Sequence, residues 1–587
     1  MNWITVNAGD SRYVSDFMQD FAPGVWNKKL ADTGASHLLI TNDIPYVMVV
    51  PNVDLVKSLV ADGTKYPVFG VYGGIYEQQF LNFEKEYGKV MKIAVTWDSL
   101  YKVLDWINPK EFQVCVDEYH LVFESIGFRL TAINKMMQIL GEFKNVRFIS
   151  ATPNQEEFEF EVIKNLPHYK IEWNNVIKVH PIMHKSNNVV VSTCMFIDKL
   201  LNGELTAPDC NGKVAKVEEL YIFLNSVKTI EQICKSLELD AEDVKICCSN
   251  RKRNKYILDT YSIEDVTAPN KKINFFTSKC FQGCNLYTNN GLILMVSDTK
   301  KPSMMIDMST QGAQIVGRIR NSTKISNIFR NTTVFIYSTN KNFNEEELNK
   351  NFQDTVAKNE SVINDWSNLS ESSKEWIKEH IDENNDFIIV DGQDVYISED
   401  KKQYAKYQNY LRLNYSNDFS LINSFNSDKF GEILNKTWIQ WSSETAKQLS
   451  KVKMCSYRDI IIDYFTNGDK EWLTEYPELA DYVKYMSLEE CNSLQFVKKK
   501  LKERVEDIKK SWIIIKNAFE KDRFYSLSTI KKILTKEFRD AGIKLAPKAS
   551  LLEKCPYVEC KSLIKRDGNK VAKGYQINNI YNYLFDF

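Results

Sequence analysis

The 587-residue sequence has little of what metal centres and disulfide frameworks require. It has six histidines, and its twelve cysteines include no C-x-x-C pair. Cys247–Cys248, Cys280/Cys284 and Cys555/Cys560 are the only close sets, and the histidines do not cluster near them. Structural metal sites need Cys and His at short, repeated spacing, so none is expected. Scattered thiols of this kind read as reduced and buried, in a cytoplasmic protein. No apolar run reaches the roughly 18 residues of a membrane span, so no membrane partner is expected. The opening MNWITVNAGDSRYVSDF has neither a basic n-region nor an apolar h-region, so it does not read as a signal peptide. A net charge of −1 leaves the whole chain without basic bias. What is present is apolar substance: 43% hydrophobic and 12% aromatic residues, enough for several cores and too much for a disordered chain.

The stretch that organises the chain is EFQVCVDEYH, Glu111 to His120. Phe112, Val114 and Val116 alternate with Gln113 and Cys115 in a short, β-branched run, the mark of a buried strand. It ends on two adjacent carboxylates, Asp117 and Glu118. In open α/β sheets ligands sit beyond the carboxyl ends of the strands. One carboxylate there suits a hydrated Mg²⁺, and its neighbour can orient or deprotonate a water.

Residues 1–165 alternate strands and helices. YVMVV (46–50), the short run at 66–70, Lys92–Val95, the acid-pair strand and Val146–Ile149 are apolar strands, and Leu130–Phe143 is an amphipathic helix. Asp98 or Ser99 is placed to cap the helix after the third of these strands. This order predicts a parallel sheet with helices on both faces. Residues 166–215 read as an irregular linker plus an early piece of the next domain. Residues 216–345 repeat the pattern, with strands at Leu220–Leu224, Val244–Cys248, Ile273–Thr277, Gly291–Val296 and Thr333–Tyr337, and helices at Thr229–Leu237 and Gln311–Arg320. Two α/β units in series suggest two sheets facing one another across a cleft. From 346 to 495 polar helices dominate, and Trp366, Trp376, Trp438, Trp441 and Trp472 read as core anchors. Residues 496–587 hold a long basic helix, Val497–Glu520, then two helices (Ser526–Ala541 and Ala546–Lys554) and two strands joined across Asp567-Gly568-Asn569, a winged-helix pattern. From Phe496 onward 22 Lys and Arg stand against 11 Asp and Glu, an electrostatic footprint suited to nucleic acid.

Taken together, residues 20–340 resemble the superfamily 2 helicases, the DExD/H-box group, with stretches in that family's order. The resemblance implies two RecA-like parallel-sheet domains, here followed by a mostly helical region with a winged-helix-like end. DEYH at 117–120 is similar to the Walker B element, which implies Mg²⁺ on Asp117 and water activation by Glu118, with His120 in the same catalytic set. Ser150-Ala151-Thr152 resembles the SAT element that couples hydrolysis to nucleic-acid binding. VVPNVDLV (49–56) and VTWDSL (95–100, with Thr96) resemble first-domain segments that touch the phosphate backbone. YIFLNSVKTI (221–230, with Asn225) resembles the strand that opens the second domain. FTSKCFQGCNL (276–286) is similar to an element in which Thr277 and Ser278 would meet nucleic acid and Gly283 and Asn285 the nucleotide. Gln314-x-x-Gly317-Arg318-x-Arg320 resembles QxxGRxxR, which implies an arginine finger; Arg318 is in register, and Arg320 comes one place early.

The family's phosphate loop departs most. Thr33 and Gly34 fit it, and Ser36 could hold Mg²⁺ through water, but the lysine position is Ala35 or His37, depending on alignment. Lys28 and Lys29 lie just upstream and are the candidate replacements. In the C-terminal module Lys565, Arg566 and Lys570 would contact phosphates. The expectation is an ATP- and Mg²⁺-dependent helicase or translocase acting on nucleic acid, DNA more than RNA, alongside replication or recombination proteins. A phage or mobile element working in a bacterial host cytoplasm fits the Asn-, Lys- and Ile-rich composition. The alternative is a catalytically weakened, helicase-like binding protein.

Overall fold

The computed structural model describes residues 2–63, 65–174, 176–282, 284–321, 324–380, 387–391, 394–438, 456–567 and 570–581. The apolar runs become strands. β1 (Trp3–Gly9), β2 (Gly24–Asn27), β3 (Tyr46–Val50), β4 (Val68–Val71), β5 (Lys92–Thr96), β6 (Gln113–Asp117), β7 (Val146–Ser150) and β8 (His168–Trp173) form an eight-stranded parallel sheet. Its order is β1-β8-β2-β7-β6-β3-β5-β4. Every side chain of β3 and β5 is buried, because helices cover both faces. One of them is a lysine. Lys92 donates to Leu39 O at 2.6 Å, Asn42 Oδ1 at 2.7 Å and Ile44 O at 2.5 Å. Those acceptors lie at the end of helix Ala35–Thr41, so the buried Lys92 side chain fixes the helix that follows Gly34.

The second sheet is also parallel. β9 (His180–Lys185), β12 (Glu219–Phe223), β13 (Val244–Cys247), β14 (Ile273–Phe276), β15 (Gly291–Ser297), β16 (Thr332–Tyr337) and β19 (Asn435–Trp438) lie in the order β13-β14-β12-β15-β16-β9-β19. Between β9 and β12 lie the buried helix Val189–Leu201 and the small hairpin β10 (Thr206–Pro208) and β11 (Val214–Lys216). The segment 166–215, expected to be irregular, therefore carries one strand of each sheet. Its histidines and prolines hid strands that pair only with distant partners. The helix expected over Gln311–Arg320 ends at Ile315, because Ile319 pairs as a bridge with Leu286. Ser99 stands before helix Leu100–Trp106 without a side-chain cap, and Asp98 pairs instead with Arg129.

The hairpin β17 (Ile388–Asp391) and β18 (Asp394–Ile397) precedes helix Glu399–Asn414, which packs on both sheets' cores. The Tyr407 ring lies 5.6 Å from Phe123 and 5.4 Å from Phe158 of the first core, and its hydroxyl donates to Asp307 Oδ2 at 2.8 Å. Leu411 and Tyr415 join the second core, where Tyr415 donates to Ile306 O at 2.8 Å. These elements, residues 1–250 and 258–452, make one compact unit.

Residues 251–257 and 453–587 make the other. Helix Lys498–Ala518 runs through it, burying Leu501, Val505 and Ile508 against Trp472 and Tyr482, and Ile515 against Leu534 and Phe538. Helix Leu527–Asp540, capped by Ser526 through Thr529 N at 3.1 Å, lies beside a three-stranded antiparallel sheet of β20 (Phe524–Ser526), β22 (Lys570–Ile580) and β21 (Val558–Asp567). The second expected helix is only Leu551–Lys554. Gly568 and Asn569 of the expected turn lie outside the described residues. Trp366 and Trp472 are buried. Trp441 and the side chains of Trp376 and Trp438 lie outside what is described.

Candidate active site

β2, β7 and β6 are neighbours, so their carboxyl ends bring Lys28, Ser150 and Asp117 side by side. Lys28 N donates to Ser150 O at 2.9 Å, which carries the sheet ladder one residue past β2. The Lys28 side chain is buried, with Nζ 3.5 Å from Asp117 Oδ1 and 3.4 Å from Glu118 Oε1. Burial works against its charge, but the two carboxylates outweigh it and hold its pKa above the usual lysine value. Lys29, at φ 53°, turns the other way, to Glu172 Oε2 at 2.9 Å and Asp428 Oδ1 at 3.3 Å. Gly34 supplies the left-handed turn, φ 71°, before helix Ala35–Thr41. Ser36 then donates to Asp117 Oδ2 at 2.5 Å. Thr33 Oγ1 is buried without a hydrogen-bond partner.

Glu118 is also left-handed, φ 50°, a conformation disfavoured for a residue with a Cβ. It aims the carboxylate at the second sheet, where Gln314 Nε2 reaches Glu118 Oε2 at 3.3 Å and Thr152 Oγ1 at 2.9 Å. Burial raises the Glu118 pKa, but Lys28, His120 and Arg318 more than offset it and leave the group below its ordinary value. It is a carboxylate at neutral pH. Gln314 in turn accepts from Arg318: Nη2 to Oε1 and Nε to the main-chain O, both at 2.9 Å. Arg318 Nη1 donates to Cys284 O at 3.3 Å. His120 shares a hydrogen bond of 2.8 Å between Nδ1 and Ser150 Oγ, and burial lowers its pKa to about 4. Neutral His120 thus ties the acid-pair loop to Ser150, which accepts from Thr152 N at 2.9 Å.

Leu286 N donates to Arg318 O at 2.9 Å and Arg320 N to Leu286 O at 2.8 Å, which sets exposed Asn285 alongside the two arginines. Gly283 lies outside the described residues. Arg320 pairs with Asp32 of the phosphate loop, and its buried Nε has no partner. A further crossing was not visible in the sequence: Thr310 Oγ1 and Gln311 Nε2 donate to the two oxygens of Glu124, at 2.9 and 3.0 Å. Burial pushes the Glu124 pKa up to about 7.

The residues expected to meet nucleic acid divide. Thr96, Ser150, Thr152 and Thr277 are buried. Ser150 and Thr152 face His120 and Gln314 and link the acid-pair loop to the second sheet. Asn225 and Ser278 meet at the ends of β12 and β14, where Ser278 N donates to Asn225 Oδ1 at 3.1 Å. Beside them exposed Lys279 crosses to Asp54 at 3.1 Å. Arg129 was missed; it donates to Pro51 O at 3.0 Å and pairs with Asp98, joining the two loops expected to hold the phosphate backbone. Its signal was a lone arginine in an otherwise apolar stretch. In the second unit Lys565 and Arg566 are exposed on β21, and Lys565 Nζ lies 4.9 Å over the Phe524 ring. Lys570 begins β22.

The donor set fits a nucleotide with Mg²⁺. Ser36 and Asp117 offer adjacent hard oxygens, and Thr33 Oγ1 and Arg320 Nε are buried polar atoms awaiting a partner. Mg²⁺ takes only one or two protein ligands. Among the described residues no cluster of three or more His, Cys, Asp or Glu could hold another metal, and no helix is long and apolar enough to cross a membrane.

No family model and no curated protein matches the sequence. Solved structures of helicases do. Mss116p bound to single-stranded RNA and AMP-PNP is 12% identical, over 78% of this chain and 81% of that one, with a TM-score of 0.39. Dbp5 of S. cerevisiae bound to RNA and ADP BeF3 is 12% identical, over 54% and 79%, at 0.36. The Mycobacterium smegmatis helicase Lhr bound to single-stranded DNA and AMP-PNP is 12% identical, over 55% and 44%, at 0.34.

Proposed function

We propose that this chain is an ATP-dependent helicase or translocase of the superfamily 2 kind, driven by a nucleotide bound between its two parallel sheets. One observation carries the reading: the Glu118 carboxylate lies 3.4 Å from Lys28 of the first sheet and 3.3 Å from Gln314 of the second. A charged base held by a cation on one side and a donor from the opposite sheet is suited to positioning water against a phosphoryl group. Ser36 and Asp117 would hold Mg²⁺, which when bound offsets phosphate charge. Lys28 supplies a buried cation that holds the acid pair beside the loop that lacks its lysine, and Arg318 carries the fixed positive charge of an arginine finger. His120, Ser150, Thr152 and Gln314 form a continuous hydrogen-bonded path from the acid pair to both sheets, so a change in nucleotide state is transmitted to the cleft.

Single-stranded nucleic acid is the partner this cleft suits, along Asn225, Ser278 and Lys279. DNA rather than RNA, in replication, recombination or repair, is the finer part of this proposal. Measuring ATP hydrolysis with and without single-stranded DNA or RNA tests the reading. Stimulated turnover is expected, and Glu118→Gln should abolish it while leaving nucleotide binding in place, since an amide keeps the shape but takes no proton. Unchanged turnover in that variant would remove Glu118 from the role. Wild-type binding without turnover would favour the second reading, a weakened binding protein, to which the absence of a lysine at both Ala35 and His37 points.

A further inference from the structure

Among the described residues, five cations gather around the acid pair and the loop before helix Ala35–Thr41, and four are committed. Lys28 is held by Asp117 and Glu118, Lys29 by Glu172 and Asp428, Arg318 by Gln314 and Cys284 O, and Arg320 by Asp32. The fifth is Lys429, from the segment that returns to the second sheet after helix Asp418–Asn423. Its side chain is half-buried, and its ammonium, open to solvent, has no hydrogen bond or ion pair among the described residues.

The backbone that carries it is pinned from both sides. Asn426 N donates to Met308 O at 3.4 Å, and Asn426 Nδ2 to Ser309 O at 2.9 Å, both just before the Gln311–Ile315 helix. Asn426 Oδ1 accepts from Asp428 N at 3.0 Å, and Asp428 accepts from Lys29 Nζ of the phosphate loop at 3.3 Å. Phe430 bridges to Val179, with Val179 N donating to Lys429 O at 2.8 Å and Gly431 N to Val179 O at 3.0 Å. Residues 426–431 thus form a strap between the phosphate loop and the segment that carries Gln314.

We propose that Lys429 is the cation that binds the terminal phosphate of the nucleoside triphosphate, so that this strap completes a phosphate site whose own loop carries Ala35. The proposal rests on the nucleotide reading above. A cation whose stem is partly buried but whose ammonium is left open to solvent without a protein partner is placed to take an incoming phosphate oxygen. The groups whose charges bear on Lys429 are Asp428 on its own strap, Lys28 on the phosphate loop, Glu118 after β6 and Arg318 from the second sheet. Burial lowers its pKa to about 8, so it is mostly charged at neutral pH and loses its proton above that.

The test is titration of the full chain with Mg·AMP-PNP and Mg·ADP. Lys429→Ala should weaken AMP-PNP binding roughly 10- to 100-fold, the scale of one lost charge-assisted hydrogen bond, and ADP binding by less than about threefold. Lys429→Arg should stay within about threefold of wild type. Wild-type affinity for AMP-PNP should fall between pH 7 and pH 9.5, roughly ten- to thirtyfold for a group titrating near pH 8, and the Lys429→Arg profile should be flat. If Lys429→Ala fails to fold, that pair of pH profiles decides. Wild-type binding that Lys429→Ala leaves unchanged, or identical pH profiles for wild type and Lys429→Arg, overturns the proposal alone. No binding of either nucleotide by wild type overturns the nucleotide reading and this proposal with it.

Discussion

Glu124 is where one side chain reports on the junction of the two sheets. Its carboxyl accepts from Thr310 and Gln311, and burial holds its pKa near 7. The folded protein therefore keeps the Glu124 proton up to about pH 7, while the unfolded chain releases it near 4.5. Stability contributed by this group falls as pH rises through that window, by up to about 3 kcal/mol. Glu124→Gln carries no such proton, so urea midpoints of the two proteins should diverge between pH 5 and pH 7.5, wild type losing ground. Parallel midpoints would place the titration elsewhere. At this scale Asp117 and Glu118 were legible because strand alternation pins where β6 ends. Lys429 and Glu124 were not, because their neighbours come from chain more than a hundred residues away.

The phosphate loop is the element in which sequence and geometry diverge most instructively. Lys28 and Lys29 look equivalent as text. The positive φ of Lys29 sends their side chains in opposite directions, one to the acid pair and one to Asp428. A left-handed turn at a residue with a Cβ leaves no readable signature. Lys28→Ala should lower hydrolysis by about 10²-fold or more, the scale of losing one fixed electrostatic group in a buried site. Lys29→Ala should stay within a factor of about three, as for a partly exposed ion pair. Ala35→Lys in the Lys28→Ala background should restore part of the loss by returning a cation to the helix start. Steady-state ATPase rates rank the three variants, and a greater loss from Lys29→Ala would reverse the assignment. The parallel sheets themselves were legible, since YVMVV and GLILMVS have no other sensible use than as central strands. β9 and β19 were not, because short polar strands acquire meaning only from the strand they join.

Across the whole molecule a net charge of −1 conceals a division of labour. In the second unit Lys531, Lys532, Lys536 and Arg539 are exposed along helix Leu527–Asp540, while Ile530, Leu534 and Phe538 are buried on its other side. Such a stripe is suited to phosphate contacts, which hold a strand without reading it. Replacing Lys531, Lys532 and Lys536 together with Gln should weaken single-stranded DNA binding and lower the slope of log K against log salt by about two, roughly 0.7 per contact. Fluorescence anisotropy over a salt series measures it, and an unchanged slope would remove the helix from the interface.

The order of strands in the second sheet has a temporal side. β9 leaves the ribosome first of all the strands in its sheet, yet its two neighbours are β16 and β19, made last. Until Thr332 and then Asn435 emerge, that strand waits with open edges, the feature of a nascent chain that invites wrong partners. β19 closes the last of them, and the strap bearing Lys429 lies just before it. On the Lys429 proposal, the final step in building this sheet is also the step that equips the cleft, so a copy cut short before Lys429 would be a poor competitor for nucleotide.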